Sequence, residues 1–229
     1  MQTSVKGDIS WLEMNVELDH IFICVRRGAP EAEELVRFGL REGAPNAHPG
    51  QGTANRRFFF RNGMLELLWV DDMEEVRNEI TAPTQLWERW SGRDGGACPF
   101  GILVRPVEAG AAGVPFASEE YRPTWLPADL RIHIAPAGVQ EPMWVYMPFM
   151  RRSHYAERFE AHPNGSSEVT GLTFTTPQPL RSSAARTLTA SSVLAVREGQ
   201  DYLLAIELDH GSHGTERDFR PHLPLVLTR

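Results

Sequence analysis

Short apolar runs alternate along this chain with polar, glycine- and proline-rich breaks. "ELDHIFICV" (residues 17–25) is dense in β-branched and aromatic residues and predicts a strand. "PEAEELVRFGL" (30–40) opens on Pro30, fills its first turn with acids and carries Leu35, Val36, Phe38 and Leu40 on an apolar side. That pattern predicts a helix, with Gly43 soon after its end. "NAHPGQGTA" (46–54) predicts a loop. "RRFFFR" and "MLELLWV" predict strands joined at Asn62-Gly63, a strong hairpin signal. "PTQLWERWSG" (83–92) predicts a short helix and "CPFGILVRP" (98–106) another strand. "VEAGAAGVP" (107–115) reads as a small-residue linker, and "LRIHIAP" with "EPMWVYMPF" as a strand pair. After the break "EAHPNGSS" come a strand, "VTGLTFTTP", a helix-like "LRSSAARTLTA", a hairpin in "SVLAVREGQDYLLAIELD", and a last strand, "LPLVLTR".

The order strand, helix, hairpin thus occurs twice, which predicts two related modules. Aligning "ELDHIFICV" with "EVTGLTFTT" sets Glu17 against Glu168, Leu18 against Val169 and His20 against Gly171. Aligning the hairpins on Gly63 and Gly199 sets Glu66 against Tyr202. The expected division is a first module over 16–106, a linker and β-hairpin insertion over 107–165, and a second, divergent module over 166–229.

Two polar residues stand out of the apolar pattern. Glu66 interrupts Met64-Leu65-Glu66-Leu67-Leu68-Trp69-Val70, and His20 lies within an equally apolar strand. A carboxylate in such surroundings is costly unless it is paired. Strand alternation puts Leu18, His20, Phe22 and Cys24 on one face, and Met64, Glu66, Leu68 and Val70 on one face. If both faces line one pocket, His20 and Glu66 converge there, and imidazole with carboxylate suits zinc, iron or manganese. The competing reading is structural: Glu66 pairs with Arg57 or Arg61, and His20 is a hydrogen-bonded core residue.

The segments "LDHIFICV", "HPGQGTANRRFFFRNGMLELLWV" and "LWERWSGRDGGACPFGILVRP" resemble the vicinal oxygen chelate superfamily, specifically its glyoxalase-like branch. The resemblance implies an α+β fold, in which paired βαβββ modules form a curved mixed sheet around a cup-shaped pocket. Here a β-hairpin insertion would separate the modules. In metal-using members one ligand stands on a module's first strand and another, usually Glu, on its last. His20 and Glu66 occupy those places, as metal ligands or catalytic residues. The second module offers Gly171 and Tyr202 at the matched positions, so only half of a metal site is present. His48, His133, Glu207, His210 or a second subunit would have to complete it. The alternatives are therefore one divalent ion (Zn, Fe, Mn or Ni) or a metal-free pocket.

Other residues extend the candidate site. The Gly-rich "HPGQGT" loop with His48 and Gln51 precedes Arg56-Arg57, whose guanidinium groups suit a carboxylate or phosphate. Alternation lets only one of these two arginines point inward. Trp87 and Trp90 pack on one side of a helix turn, as core or as a stacking surface. Trp144 and Tyr146 share one strand face, and Met143, Val145 and Met147 the other; one of the two faces closes the pocket. Trp87, Trp144 and Tyr146 are accordingly taken with His48, Gln51, Arg56 and Arg57 as candidate ligand contacts.

Composition narrows the class. The 229 residues are 41% hydrophobic, enough for a large core. A net charge of −7 argues against nucleic-acid binding, and no apolar run is long enough to cross a bilayer. The N-terminal stretch lacks the apolar core of a signal peptide, and Cys24 and Cys98 read as free thiols of a cytoplasmic protein. The expected partners are a small-molecule ligand and a second copy of the chain as a homodimer. Two functions follow: a glyoxalase-like lyase or isomerase acting on a small oxygenated acid, metal-assisted or using Glu66 as a general base, or a non-catalytic binder that sequesters small molecules.

Overall fold

The computed structural model describes residues 16–108, 110 and 113–229. The elements in chain order are β1 (Val16–Cys24), α1 (Ala32–Arg37), β2 (Asn46–His48), β3 (Thr53–Phe60), β4 (Gly63–Val70), α2 (Leu86–Ser91) and β5 (Phe100–Pro106). They continue with β6 (Glu119–Tyr121), β7 (Ile132–Ile134), β8 (Met143–Tyr146), α3 (Ser153–Ala156), β9 (Val169–Thr176) and α4 (Ser183–Ala190). The last are β10 (Ala195–Glu198), β11 (Leu203–Leu208), β12 (Glu216–Asp218) and β13 (Leu225–Thr228). Among the described residues no helix is long and apolar enough to cross a membrane.

Local chemistry explains the first module. Acids in the first turn of α1 favour the helix N-terminus. The helix stops at Gly39, whose φ of +95° is left-handed. There Gly39 N–H donates to the Val36 carbonyl and Leu40 N–H to Leu35, a Schellman closure with both leucines buried. Gly39 closes the helix, and Gly43, placed by the pattern soon after its end, lies beyond it. The Asn62-Gly63 turn joins β3 to β4 as predicted, and part of the expected loop is instead the edge strand β2, paired to β3.

Eight strands form one sheet in the order β2-β3-β4-β1-β5-β8-β7-β6, and five form another in the order β10-β9-β11-β13-β12. The larger sheet is two equivalent halves. In each, the first strand pairs parallel with the last, which continues into an antiparallel pair, and β1 meets β5 antiparallel. This is the curved mixed sheet of an α+β fold; the first half has the βαβββ order, while the second repeats its strand pairing with no helix between β5 and β6 among the described residues. The partner of the first module differs from the expected one. Its second half is β5 to β8, built largely from the segment read as linker and hairpin insertion. Residues 169–228 form the separate sheet, with no strand continuity to the first. The difference has a physical reason in strand length: β6 and β7 have 3 residues each and β8 has 4, too short to carry a pattern.

The expected C-terminal hairpin is also rearranged. β10 pairs parallel with β9 after the α4 crossover, while β11 pairs with the opposite edge of β9. Parallel neighbours need such a crossover, and here α4 supplies it.

The larger sheet is buried on both faces, which accounts for the near-continuous apolar runs of β4 and β5. Ile21, Ile23, Phe58, Leu65, Leu67, Ile102, Trp144 and Tyr146 face a common core with α1, α4 and the smaller sheet. Each such side chain, fully buried, contributes about 1.5–3 kcal/mol. Phe22, Leu68, Leu103, Met143, Val145 and Met147 project from the other face. Near the centre of the sheet Gly101 opposes Phe22, and a Cβ on it would lie 2.0 Å from the buried Phe22 ring. Gly101→Ala should therefore overpack the β1–β5 seam and cost about 1–3 kcal/mol in urea unfolding. Wild-type stability in this variant would show that the ring has room to move.

Candidate functional site

The face opposite the common core lines a cavity of about 210 Å³. Its polar side is built on β1, β3 and β4. Parity puts Glu66 and His20 there, and His20 Nε2 lies 3.6 Å from Glu66 Oε2. Asn55, on neighbouring β3, donates through its side-chain amide to Glu66 Oε1 at 2.5 Å, leaving Oε2 for the cavity. A register shift in the β1–β5 pairing falls between Leu18 and His20. It breaks the expected alternation: Leu18 packs toward the common core, while His20 stays in the cup.

Asp19 sits at that irregularity with no exposed surface. Its Oδ1 is 2.6 Å from His20 Nδ1 and also accepts from the Tyr155 hydroxyl. Its Oδ2 takes Arg105 Nη1 at 3.1 Å. Accepting from Nδ1–H orients the imidazole so that Nε2 faces the cup. Burial by itself raises the Asp19 carboxyl. The hydrogen bonds from His20 and Tyr155 and the charges of His20 and Arg105 outweigh it and hold the group below the usual carboxylate range. The Tyr155 hydroxyl is pushed up, by burial and then by Asp19, and stays protonated.

A second polar group closes the other side. Gln51 Oε1 accepts from Tyr121 at 2.9 Å and Trp125 at 3.2 Å, while its amide donates to Thr53 at 2.7 Å. His48 packs its ring 5.1 Å from Trp125, and burial lowers its pKa, which keeps it neutral at neutral pH. Arg57 and Arg158 also line the cavity. Arg57 Nε donates to the Ala44 carbonyl at 2.8 Å. Burial lowers the Arg57 pKa, Glu66 opposes that shift and Arg158 adds to it.

Comparison with known proteins now decides the family. Residues 18–191 match the glyoxalase-like domain family. The chain belongs to that family, within the vicinal oxygen chelate superfamily. No curated protein matches the chain. Among solved structures it is similar to a hypothetical protein from Staphylococcus aureus, with TM-score 0.55 and 10% identity, covering 93% of this chain and 98% of that one. Identity that low carries the fold alone.

Within this glyoxalase-like cup, the sequence candidates separate cleanly. His20, Glu66, His48, Gln51 and Arg57 converge on it. Arg56 points away, bonded to Glu42, Glu33 and the Ala29 carbonyl. Trp144 and Tyr146 face the common core, so the methionine face of β8 lines the pocket instead. Trp87 packs beside Trp90 under the Arg77 guanidinium, outside the cavity. Asp19, Asn55, Tyr155 and Arg158 were not anticipated. An aspartate within an apolar strand, next to a histidine, was the one visible signal among them. Cys24 and Cys98 are free and buried, with thiols pushed up to about 12 by burial, which leaves them inert at neutral pH.

The donor set does not fit the metal that the superfamily implies. In the register, His20 pairs with Leu103 and Phe22 with Gly101, while Phe22 lies beside Glu66 and Leu103 beside Val145. The cup-facing side chains of the other half are Leu103, Met143 and Val145, none of which carries a nitrogen or oxygen donor. Among the described residues no group of three or more His, Cys, Asp or Glu is placed to hold a metal ion.

Because the folded Asp19 carboxyl is held low, its contribution to stability is complete above the unfolded value of about 3.9 and is lost as pH falls through the folded value. Asp19→Asn should cost about 3–5 kcal/mol at neutral pH, since it leaves Arg105 buried without this partner. In melting curves the gap to wild type should narrow in acid. A gap that stays constant through the acid range would rule out an ionised Asp19 in the native protein.

Proposed function

We propose that this glyoxalase-like protein binds a small oxygenated acid in its cup and moves a proton on it, with His20 and Glu66 as the proton-handling pair. The observation that carries the reading is the buried line Asp19–His20–Glu66, in which Asp19 orients the imidazole and Asn55 orients the carboxylate. The gap of 3.6 Å between Nε2 and Oε2 leaves both atoms free to meet a ligand group. On a carbonyl compound with an adjacent hydroxyl, Glu66 Oε2 would take the proton from the hydroxyl-bearing carbon and return it to the former carbonyl carbon. His20 Nε2 would pass the hydroxyl proton to the former carbonyl oxygen, completing an isomerisation without net proton change. Arg57 and Arg158 supply the positive charge for the acid and for the developing enolate oxygen. With Leu103, Met143 and Val145 facing the cup from the other half, the proposed proton transfer runs through Glu66 and His20 alone.

A second reading, sequestration without chemistry, has its own support. Met64, Met143, Met147 and Met150 line the cavity, a soft and adaptable wall suited to varied apolar ligands.

The two readings part in one experiment. Small keto and hydroxy acids are screened by thermal shift, and deuterium exchange at carbon is followed by NMR for those that bind. Glu66→Gln should leave binding intact and slow exchange about 10²–10⁴-fold, while Arg57→Ala should weaken binding of acids selectively. Binding without exchange in the wild type selects the sequestering role. Stabilisation by neutral ligands alone would remove the acid from the proposal. Metal analysis of the purified protein, with exchange measured before and after chelation, tests the metal-free assignment directly.

A further inference from the structure

A second cavity, of about 380 Å³, adjoins the cup and shares with it only Tyr121 and Met143. Arg89, on α2, lies in its lining and is 2% exposed. Its Nη1 donates to the carbonyls of Cys98, Val139 and Glu141, but Nε has no partner. Among the described residues no carboxylate pairs with it. The Glu141 carboxylate is turned elsewhere, accepting from the backbone of Arg181 and Ser182 and from Trp144. A buried guanidinium without a counter-ion is expensive, and burial pulls its pKa down.

One turn earlier on the same segment, Gln85 also lines the cavity, and its Oε1 is a buried acceptor without a donor. Gln85 holds this place with a φ of +57°, in the left-handed region. At the exposed side stand Glu79 and Glu119, neither in an ion pair among the described residues. Glu120, by contrast, is already paired with Arg122 and Arg131. The lining therefore offers a buried cation without a counter-ion, a buried acceptor without a donor, and two unpaired carboxylates at the exposed side.

We propose that this cavity binds a small zwitterion, an amino acid or short amino-carboxylic acid, with its carboxylate on Arg89 and its ammonium toward Gln85, Glu79 and Glu119. A phosphate dianion would meet the same arginine but also two repelling carboxylates. A simple carboxylate would leave those acids unmatched. The site is separate from the cup's arginines, so its occupant need not be the cup's ligand.

The test uses three compounds with the same carbon count: β-alanine, propionate and propylamine, with inorganic phosphate as a fourth probe. Thermal shift and isothermal titration are run on the whole protein. β-Alanine should raise Tm by several degrees at saturating concentration, propionate by less, and propylamine and phosphate not at all. Arg89→Gln should abolish the β-alanine shift. Because that substitution touches a buried residue, Ala137→Phe provides a second route, filling the cavity from its partly exposed wall while keeping Arg89. It should abolish the shift too, and Arg57→Ala in the cup should preserve it. The proposal is overturned if β-alanine gives no shift, if propionate matches it, if the shift survives Ala137→Phe, or if only Arg57→Ala removes it.

Discussion

The ion pair between Arg105 and Asp19 has no exposed side-chain surface on either partner, and the geometry of the cup depends on it. Arg105 enters from β5, reaches Glu17 and Asp19 on β1, and donates its remaining nitrogen to the Asn62 carbonyl in the β3–β4 turn. Three segments are thereby fixed to one guanidinium, and the Tyr155 ring of α3 lies 5.3 Å from it. A buried pair of this kind gives modest net stability, because desolvation offsets most of the attraction. Its specific contribution is positional. It holds the β1 irregularity in place, and that irregularity lets Asp19 and His20, adjacent in sequence, cooperate instead of pointing apart.

The fold follows from how the large sheet is covered. One face meets α1, α4 and the smaller sheet, and the other meets its own curvature and the segments that cross the cup. Strands buried on both sides cannot show a polar alternation, which is why "MLELLWV" and "CPFGILVRP" are so apolar. The same condition made Glu66 visible: a charge in such a run must have a specific environment. β9 is different, with Leu172, Phe174 and Thr176 buried and the residues between them partly exposed. It serves a one-sided sheet, although its segment looked like a repeat of the first.

Much of the site was thus legible from strand parity. His20 and Glu66 converge as alternation requires, and of the arginine pair only Arg57 turns inward. Parity failed at Leu18, where a register shift reverses the faces and no residue in "ELDHIFICV" announces it. It was silent on Trp144 against Met143, since both sides of β8 are buried and apolar. Tyr155 comes from a helix of 4 residues, too short to carry a pattern, and its approach to Asp19 spans 136 positions. Contacts of that range depend on topology, which the short strands β6 and β7 had concealed.

The internal twofold also gives the cup its direction. His20 and Glu66 project from β1 and β4 in one half, while β5 and β8 present Leu103, Met143 and Val145 in the other. A side chain at Gly101 would overlap the ring of Phe22. The polar half therefore has no counterpart, and the opposite wall is Leu103, Met143, Val145 and Met147. On the proposed reading, a ligand with one oxygenated end and one apolar end would have a single favourable orientation, oxygen toward Glu66 and hydrocarbon toward the methionines. Reversing it would leave the Glu66 carboxylate against hydrocarbon and the ligand's own polar groups unpaired, a cost of about 1–3 kcal/mol for each buried group. The asymmetry between two halves of the same architecture is thus sufficient to select one end of a small molecule.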